Sequence, residues 1–331
     1  MLGVINMPKL RMAVFGSGHG FATLIPAAVK TDLFEIFAAE PRDILKSKIA
    51  GSQTPIQLIS REVLAQSKDI DLAVVAVPPF EQLELASKLA LNTPNLYIEK
   101  PGGLNSSEAK KLIVLANENN VKMYIGLQFR FDPAIKYFQE IITNLKNEEL
   151  YKVQINWHTT GTGGQGLAKN WRNDSALGGG VQRDFLIHVF DYLIFLFGIE
   201  MLKNKTKWIL NKVELDEISI VLPGPIEIQI SISRGKVQKS FWEISFFSKT
   251  GNSTIRHSAP FDFQSYDSND ESFLQRLKSS VGSEDVRIHS TSLLFEAIEF
   301  EIRHEVRSLS QLPTVQDSLA AYEMIEEIFQ S

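Results

Sequence analysis

Within the first 130 or so residues, short apolar runs rich in branched residues alternate with stretches whose apolar residues recur every three or four positions. That alternation restricts this part of the chain to a parallel sheet with crossover helices, because parallel strands are covered on both faces and read as continuous apolar runs. Strands are expected at 11–15, 35–40, 72–77, 97–99 and 122–126, and helices at 81–91 and 107–119. Asn105, Ser106 and Ser107 precede the second helix and Asn119 and Asn120 follow it, residue types that cap helix ends. Beyond about Asp132 the pattern changes. A helix near 133–143, a strand at 151–159, a glycine-rich loop at 161–166 and an apolar helix over 181–197 lead into strands at 208–215, 218–222, 226–233 and 239–247. These last four alternate as antiparallel neighbours covered on one face do. Helices at 289–309 and 315–328 close the chain. The expected fold class is therefore α/β: a doubly wound parallel sheet over 8–128, then an α+β domain over 129–331 with an open, mainly antiparallel sheet. The 331 residues suit two domains of roughly 150 each.

Composition narrows the function. With 34 Lys+Arg against 39 Asp+Glu the net charge is -5, which gives no general attraction for phosphate backbones and argues against nucleic acid as a partner. The chain has no cysteine, so disulfides, thiolate nucleophiles and Cys-ligated metal sites are excluded, as suits a reducing cytoplasm. The start MLGVINMPKL lacks the pattern of a signal peptide, and the longest apolar run, 192–199, falls far short of the ~20 residues of a membrane span. Neither secretion nor a membrane partner is expected. His158, His257, His289 and His304 lack partners at metal-ligand spacing, so no metal is expected, and Ser17 lacks the spacing of a hydrolase elbow.

Three segments carry chemistry. Gly16-Ser17-Gly18-His19-Gly20 lies between an apolar strand and a helix, where glycines tighten a turn and let backbone N–H groups approach a pyrophosphate. In the strict G-x-G-x-x-G pattern a third glycine would stand at 21, where this chain has Phe21. Glu40 ends the next expected strand about 20 residues on, where a carboxylate holds the adenosine ribose hydroxyls. It favours NAD, while Arg42 offers a partner for the 2′-phosphate of NADP. Glu99-Lys100-Pro101 ends another strand on the side where open parallel sheets bind ligands. Finally, Gly178-Gly179-Gly180 opens a helix carrying Asp184, His188 and Asp191 at four- and three-residue spacing, nearly on one face. His188 reads either as a titratable group beside a reacting hydroxyl or as a histidine satisfied by Asp184. Arg130, Arg172, Arg183 and the 161–166 loop read either as a substrate pocket or as salt bridging.

Taken in order along the chain, these segments, with Arg130-Phe131-Asp132-Pro133 and Trp171-Arg172, resemble the family of NAD(P)-dependent oxidoreductases typified by glucose–fructose oxidoreductase and inositol dehydrogenase. The resemblance implies an amino-terminal Rossmann domain and a carboxyl-terminal domain that binds substrate and, through its open sheet, forms a homodimer or homotetramer. It implies cofactor contacts from Gly16, Gly18, His19, Gly20, Phe21, Glu40, Arg42, Val77, Pro78, Glu99, Lys100, Trp171 and Arg172. Lys100, Asp184 and His188 would be catalytic and, with Arg130, would meet a small carbohydrate-like substrate. The implied reaction transfers hydride between nicotinamide C4 and a secondary alcohol or ketone of a sugar, cyclitol or nucleotide sugar. Reduction of an imine or conjugated double bond, or nonenzymatic dinucleotide sensing, are the alternatives on the same scaffold. The chain departs from the family at Phe21, at Gln182, Arg183 and Leu186, and at Phe80-Glu81-Gln82.

Overall fold

The computed structural model describes residues 7–39, 56–144, 150–161, 171–203, 208–280, 284–304 and 312–330. It divides into two compact units. The first holds a six-stranded sheet of β1 (Leu10–Phe15), β2 (Phe34–Ala39), β3 (Ile56–Ile59), β4 (Leu72–Val75), β5 (Asn95–Ile98) and β6 (Lys122–Ile125), in the order β3-β2-β1-β4-β5-β6. Every neighbouring pair is parallel. The central strands are buried along most of their length, as expected where helices cover both faces. Between β1 and β4 the strand order reverses, and in such sheets ligands bind beyond the carboxyl ends of the strands at this switch point. The short edge strand β3 is an addition to the expected set: it reads IQLI, a run of four residues of which Gln57 and Leu58 face solvent, too short to stand out as a buried strand.

The helix Pro79–Leu89 buries Gln82, Leu85, Ala86 and Leu89, one stripe at helical spacing. A single cut between residues 128 and 129 does not describe the first unit, because Thr291–Gln316 packs with it. Phe295, in the helix Val286–His304, sets its ring 5.3 Å from Tyr97 and 5.9 Å from Phe34 and so helps build that core.

The second unit is built on seven strands: β7 (Leu150–Thr159), β8 (Ile209–Glu214), β9 (Glu217–Leu222), β10 (Glu227–Arg234), β11 (Phe241–Ser248), β12 (Gly251–Ser258) and β13 (Tyr266–Ser268). Their order is β13-β12-β11-β7-β10-β9-β8, antiparallel throughout except for the parallel pair β7 and β10. Ile155, Ile230 and Ile244 stand in register across its centre. Phe138 of the helix Pro133–Asn144 and Phe197 of the helix Leu186–Phe197 both meet Phe246 of β11, at 4.3 and 5.8 Å, which sets these helices on one face. Strands β12 and β13 and the helix Glu271–Ser280 are further additions; β12 reads GNSTIRHS, too polar to register as a strand. The single helix expected over 181–197 is two, Val181–Asp184 and Leu186–Phe197, separated at Phe185. Among the described residues no helix is long and apolar enough to cross a membrane.

Candidate active site

In the first unit, Gly16, Gly18, His19, Gly20 and Phe21 follow β1 at the switch point. Gly16 has φ +117°, and a Cβ there would lie 2.2 Å from the Ala76 carbonyl oxygen. The Ala76 N–H donates to Phe15 O at 2.8 Å, so the turns leaving β1 and β4 are in direct backbone contact, and only glycine fits. Gly20 sits 3.2–3.3 Å, by the same measure, from Ala76 Cβ and Val14 Cγ1, whereas a Cβ on Gly18 would meet nothing within 4 Å. The turn thus offers one open glycine edge to a ligand. Phe21, at the position of the usual third glycine, is buried within a wide turn of five residues, Gly20–Leu24, that precedes the helix Ile25–Thr31. The bulky ring is accommodated by packing inward.

Beside this turn, His19 Nε2 lies 3.7 Å from Glu99 Oε1. The Tyr97 hydroxyl donates to the same oxygen at 2.8 Å. Burial and the adjacent carboxylate push Tyr97 well above its ordinary pKa, so it remains a donor. Gly126 leaves room for the pair, since a Cβ there would come within 2.6 Å of both oxygens. Lys100 follows Glu99, and its bond to Pro101 is cis. Gln82 braces this segment: its Nε2 donates to Glu99 O at 2.9 Å and Val77 O at 3.3 Å, and its Oε1 accepts from the Gly103 N–H at 2.7 Å. Gln82 is buried, and sequence reasoning saw it only as a departure from the family; a polar residue on the buried stripe of its helix was the available signal. Val77 is buried and Pro78 leads into the helix beginning at Pro79. Glu40 and Arg42 lie outside the described residues, as does most of the 161–166 loop.

In the second unit, Gly179 and Gly180 let the turn of Trp171 and Arg172 close onto the start of the Asp184 helix. A Cβ on Gly179 would sit 2.3 Å from Trp171 O, Gly180 has φ +89°, and its N–H donates to Arg172 O at 2.9 Å. Arg172 lays its guanidinium over the Trp171 ring, 4.4 Å from the centroid, and brings Nε within 3.5 Å of Asp184 Oδ2. His188, buried and a turn further on, packs its ring 4.9 Å from Phe129 and 5.9 Å from Trp157.

Two expectations are corrected here. Asp191 does not join Asp184 and His188: it is fully buried against Arg130, whose Nε lies 3.1 Å from both carboxylate oxygens and whose Nη2 lies 2.5 Å from Oδ1. Asp317 adds a contact at 2.8 Å. Arg130 was expected at the substrate; it is buried, with these nitrogens committed to carboxylates, and its pair with Asp191 ties the turn Gln128–Phe131 to the helix Leu186–Phe197. Burial opposes its charge, and the two aspartates more than offset that and raise its pKa. Arg183 likewise donates to Ser175 O. In the same segment as Arg130, Asp132 accepts from the Tyr266 hydroxyl at 3.0 and 3.1 Å and from the Ala134 N–H at 2.8 Å, while burial raises its pKa to about 6.

Comparison with known proteins agrees with this geometry. Residues 10–127 match the model of the oxidoreductase family, NAD-binding Rossmann fold, and residues 140–206 match that family's C-terminal alpha/beta domain. The chain belongs to this oxidoreductase family, with a dinucleotide-binding amino-terminal domain. An uncharacterized oxidoreductase of Synechocystis is 29% identical over 193 residues, 58% of this chain and 52% of that protein. The chain spans about half the length of the curated relatives it matches. The WlbA dehydrogenase of Bordetella pertussis, solved with NADH and UDP-GlcNAcA, superposes with a TM-score of 0.74 at 16% identity, over 99% of this chain and 96% of that one. A super-repressor mutant of Gal80p from Saccharomyces cerevisiae gives 0.74 at 15% identity over 98% and 95%. These two likenesses are of fold.

Proposed function

We propose that the chain is an NAD(P)-dependent dehydrogenase that interconverts a secondary alcohol and a ketone on a sugar, cyclitol or nucleotide sugar, with NAD as the preferred cofactor. The observation that carries this reading is the switch-point turn, in which Gly16 is forced by the Ala76 backbone while Gly18 keeps an open edge for the pyrophosphate. Gly16, Gly18, His19 and Gly20 would hold the dinucleotide, with Glu40 on the ribose hydroxyls. When bound, the nicotinamide accepts or returns the hydride.

The chain's own residues handle the proton and the charge. His188 takes the hydroxyl proton as the carbon gives up hydride, Asp184 stabilises the imidazolium, and Lys100 donates a hydrogen bond to the developing oxyanion. Lys100 and His188 are exchangeable in these two roles. The WlbA complex lends support for a sugar-type substrate. A homo-oligomer assembled through the seven-stranded sheet, in the cytoplasm, completes the proposal.

The test is kinetic. A positioned acid or base contributes roughly 10²–10⁴-fold, so His188→Ala and Lys100→Ala each lower kcat by about that factor, and His188→Ala leaves the NADH dissociation constant nearly unchanged. Wild-type turnover in both variants overturns the assignment. Cofactor binding with no turnover across a broad panel of sugars and cyclitols transfers the reading to a dinucleotide-sensing regulator.

A further inference from the structure

Arg234 is the last residue of β10, where the strand leaves its sheet and a long cation ordinarily turns outward to water. Its side chain is instead 2% exposed. A buried guanidinium is stable only against acceptors, and this one reaches two that lie far apart in sequence. Its Nε donates to Asp216 Oδ1 at 2.7 Å, Nη2 meets the same oxygen, and Nη1 donates to Arg172 O at 3.0 Å. The Arg234 N–H also donates to Asp216 O at 2.8 Å, so backbone and side chain hold the same residue.

Leu215 and Asp216 make the two-residue turn between β8 and β9, whose last pair is Glu214 with Glu217. Leu215 O accepts from the Val181 N–H at 2.9 Å, at the start of the short helix that carries Asp184. One residue earlier, the Gly180 N–H donates to Arg172 O at 2.9 Å. A carbonyl has two lone pairs, and Gly180 and Arg234 fill both of those on Arg172. The Arg234 guanidinium therefore joins the hairpin tip to the Arg172 turn, and each of these grips one N–H at the beginning of the Asp184 helix. That helix, Val181–Asp184, has no side-chain cap, so the two backbone bonds set where it begins. At its other end, Arg172 Nε lies 3.5 Å from Asp184 Oδ2.

We propose that Arg234 is a positioning residue for the active site: by bridging Asp216 and the Arg172 carbonyl, it fixes the Asp184 carboxylate through the helix start and the Arg172 side chain together. It acts through Asp184 and not on substrate. This inference rests on the reading of Asp184 as part of the catalytic set.

Turnover is followed as NAD reduction with myo-inositol, D-glucose and UDP-glucose, and amide hydrogen exchange is read by mass spectrometry on the full chain. Arg234→Met removes the bridge and lowers kcat by roughly 10- to 100-fold, the effect of misplacing a catalytic group by about an ångström. Arg234→Lys keeps a cation beside Asp216 but gives up the fork that spans both acceptors, so the fold is retained and kcat still falls by about 5-fold or more. In the Asp184→Asn background the loss disappears. Asp184→Asn combined with Arg234→Met stays within about 3-fold of Asp184→Asn alone, whereas a merely structural defect multiplies the two losses. Exchange in the peptide spanning 178–184 rises by about 10-fold or more in Arg234→Met, and the peptide spanning 152–158, on β7, keeps the wild-type rate. If Arg234→Met fails to fold by circular dichroism, Arg234→Lys carries all three measurements.

Wild-type kcat in both Arg234 variants, losses that multiply with Asp184→Asn, or unchanged exchange over 178–184 overturns the proposal. The two readings fail separately. Wild-type turnover in Asp184→Asn removes Asp184 from the catalytic set and this proposal with it, while losses in His188→Ala and Lys100→Ala keep the dehydrogenase. A wild-type chain that binds NADH but turns over none of the three substrates counts against the dehydrogenase. Exchange then decides the bridge: a rise confined to 178–184 supports Arg234 as the anchor of Asp184, and no rise overturns it.

Discussion

Two alanine substitutions in the glycine turn, one at Gly16 and one at Gly18, separate what the turn does for the fold from what it does for a ligand. A Cβ on Gly16 would lie 2.2 Å from a backbone oxygen and 2.6 Å from its carbonyl carbon, both on Ala76, and φ there is +117°. No flexible side chain can yield at that contact. Adopting the disfavoured φ costs about 1–3 kcal/mol, and the backbone of the β1 and β4 turns must part as well. A total of about 2–4 kcal/mol is expected, or a loss of roughly 5–12 °C in Tm for a unit of this size. Gly18→Ala places a methyl group where nothing lies within 4 Å, so Tm should stay within about 1–2 °C of wild type. That methyl occupies the edge where the pyrophosphate would approach, and affinity for NADH should fall by about 10-fold or more. Differential scanning calorimetry and fluorescence titration with NADH read the two effects independently. Wild-type NADH affinity in Gly18→Ala refutes the placement of the dinucleotide, and wild-type Tm in Gly16→Ala refutes the steric argument.

Further outcomes follow from the same geometry. Asp191→Asn leaves the buried Arg130 guanidinium with Asp317 as its one remaining carboxylate and is expected to cost about 2–4 kcal/mol in urea denaturation, whereas the apolar double replacement Arg130→Met with Asp191→Leu recovers part of that loss; equal losses would contradict the reading. His257 is held neutral by burial, which lowers its pKa to about 4 from the usual 6.5. The unfolded chain therefore takes up a proton that the folded one refuses. Stability is full above pH 6.5 and declines by about 3 kcal/mol as pH falls toward 4, and His257→Gln should flatten that decline; parallel pH profiles would exclude this cause. Gln82→Leu removes two hydrogen bonds that fix the Glu99–Gly103 backbone and a third to Val77 O, so kcat should fall by about 10-fold or more with the NADH dissociation constant within about 3-fold; wild-type kcat would show that Lys100 needs no brace.

What the sequence disclosed depended on whether the signal was local. Strands β1, β2, β4, β5 and β6 are compact apolar runs, and their edges fall within a few residues of expectation because burial on both faces imposes the pattern. The glycine turn was legible for the same reason, since a strand, tight glycines and a helix follow one another within a few residues. Helix periodicity placed Asp184, His188 and Asp191 on one face, but it knew nothing of Arg130, 61 residues from Asp191, which claims that carboxylate, or of the break at Phe185. Gln82 acts through bonds to residues 5, 17 and 21 positions away; its place on the apolar stripe of its helix marks it as buried and polar, but nothing local names those partners. The return of Thr291–Gln316 to the first unit is likewise a tertiary event, set by Phe295 meeting Tyr97 and Phe34.

The most direct test of the central claim is titration of the purified, folded full chain with NADH and NADPH, followed by fluorescence and calorimetry. The account predicts saturable binding of NADH, weaker binding of NADPH, and a fall of about 10-fold or more in affinity for both in Gly18→Ala without loss of fold. A folded protein that binds neither dinucleotide would contradict it.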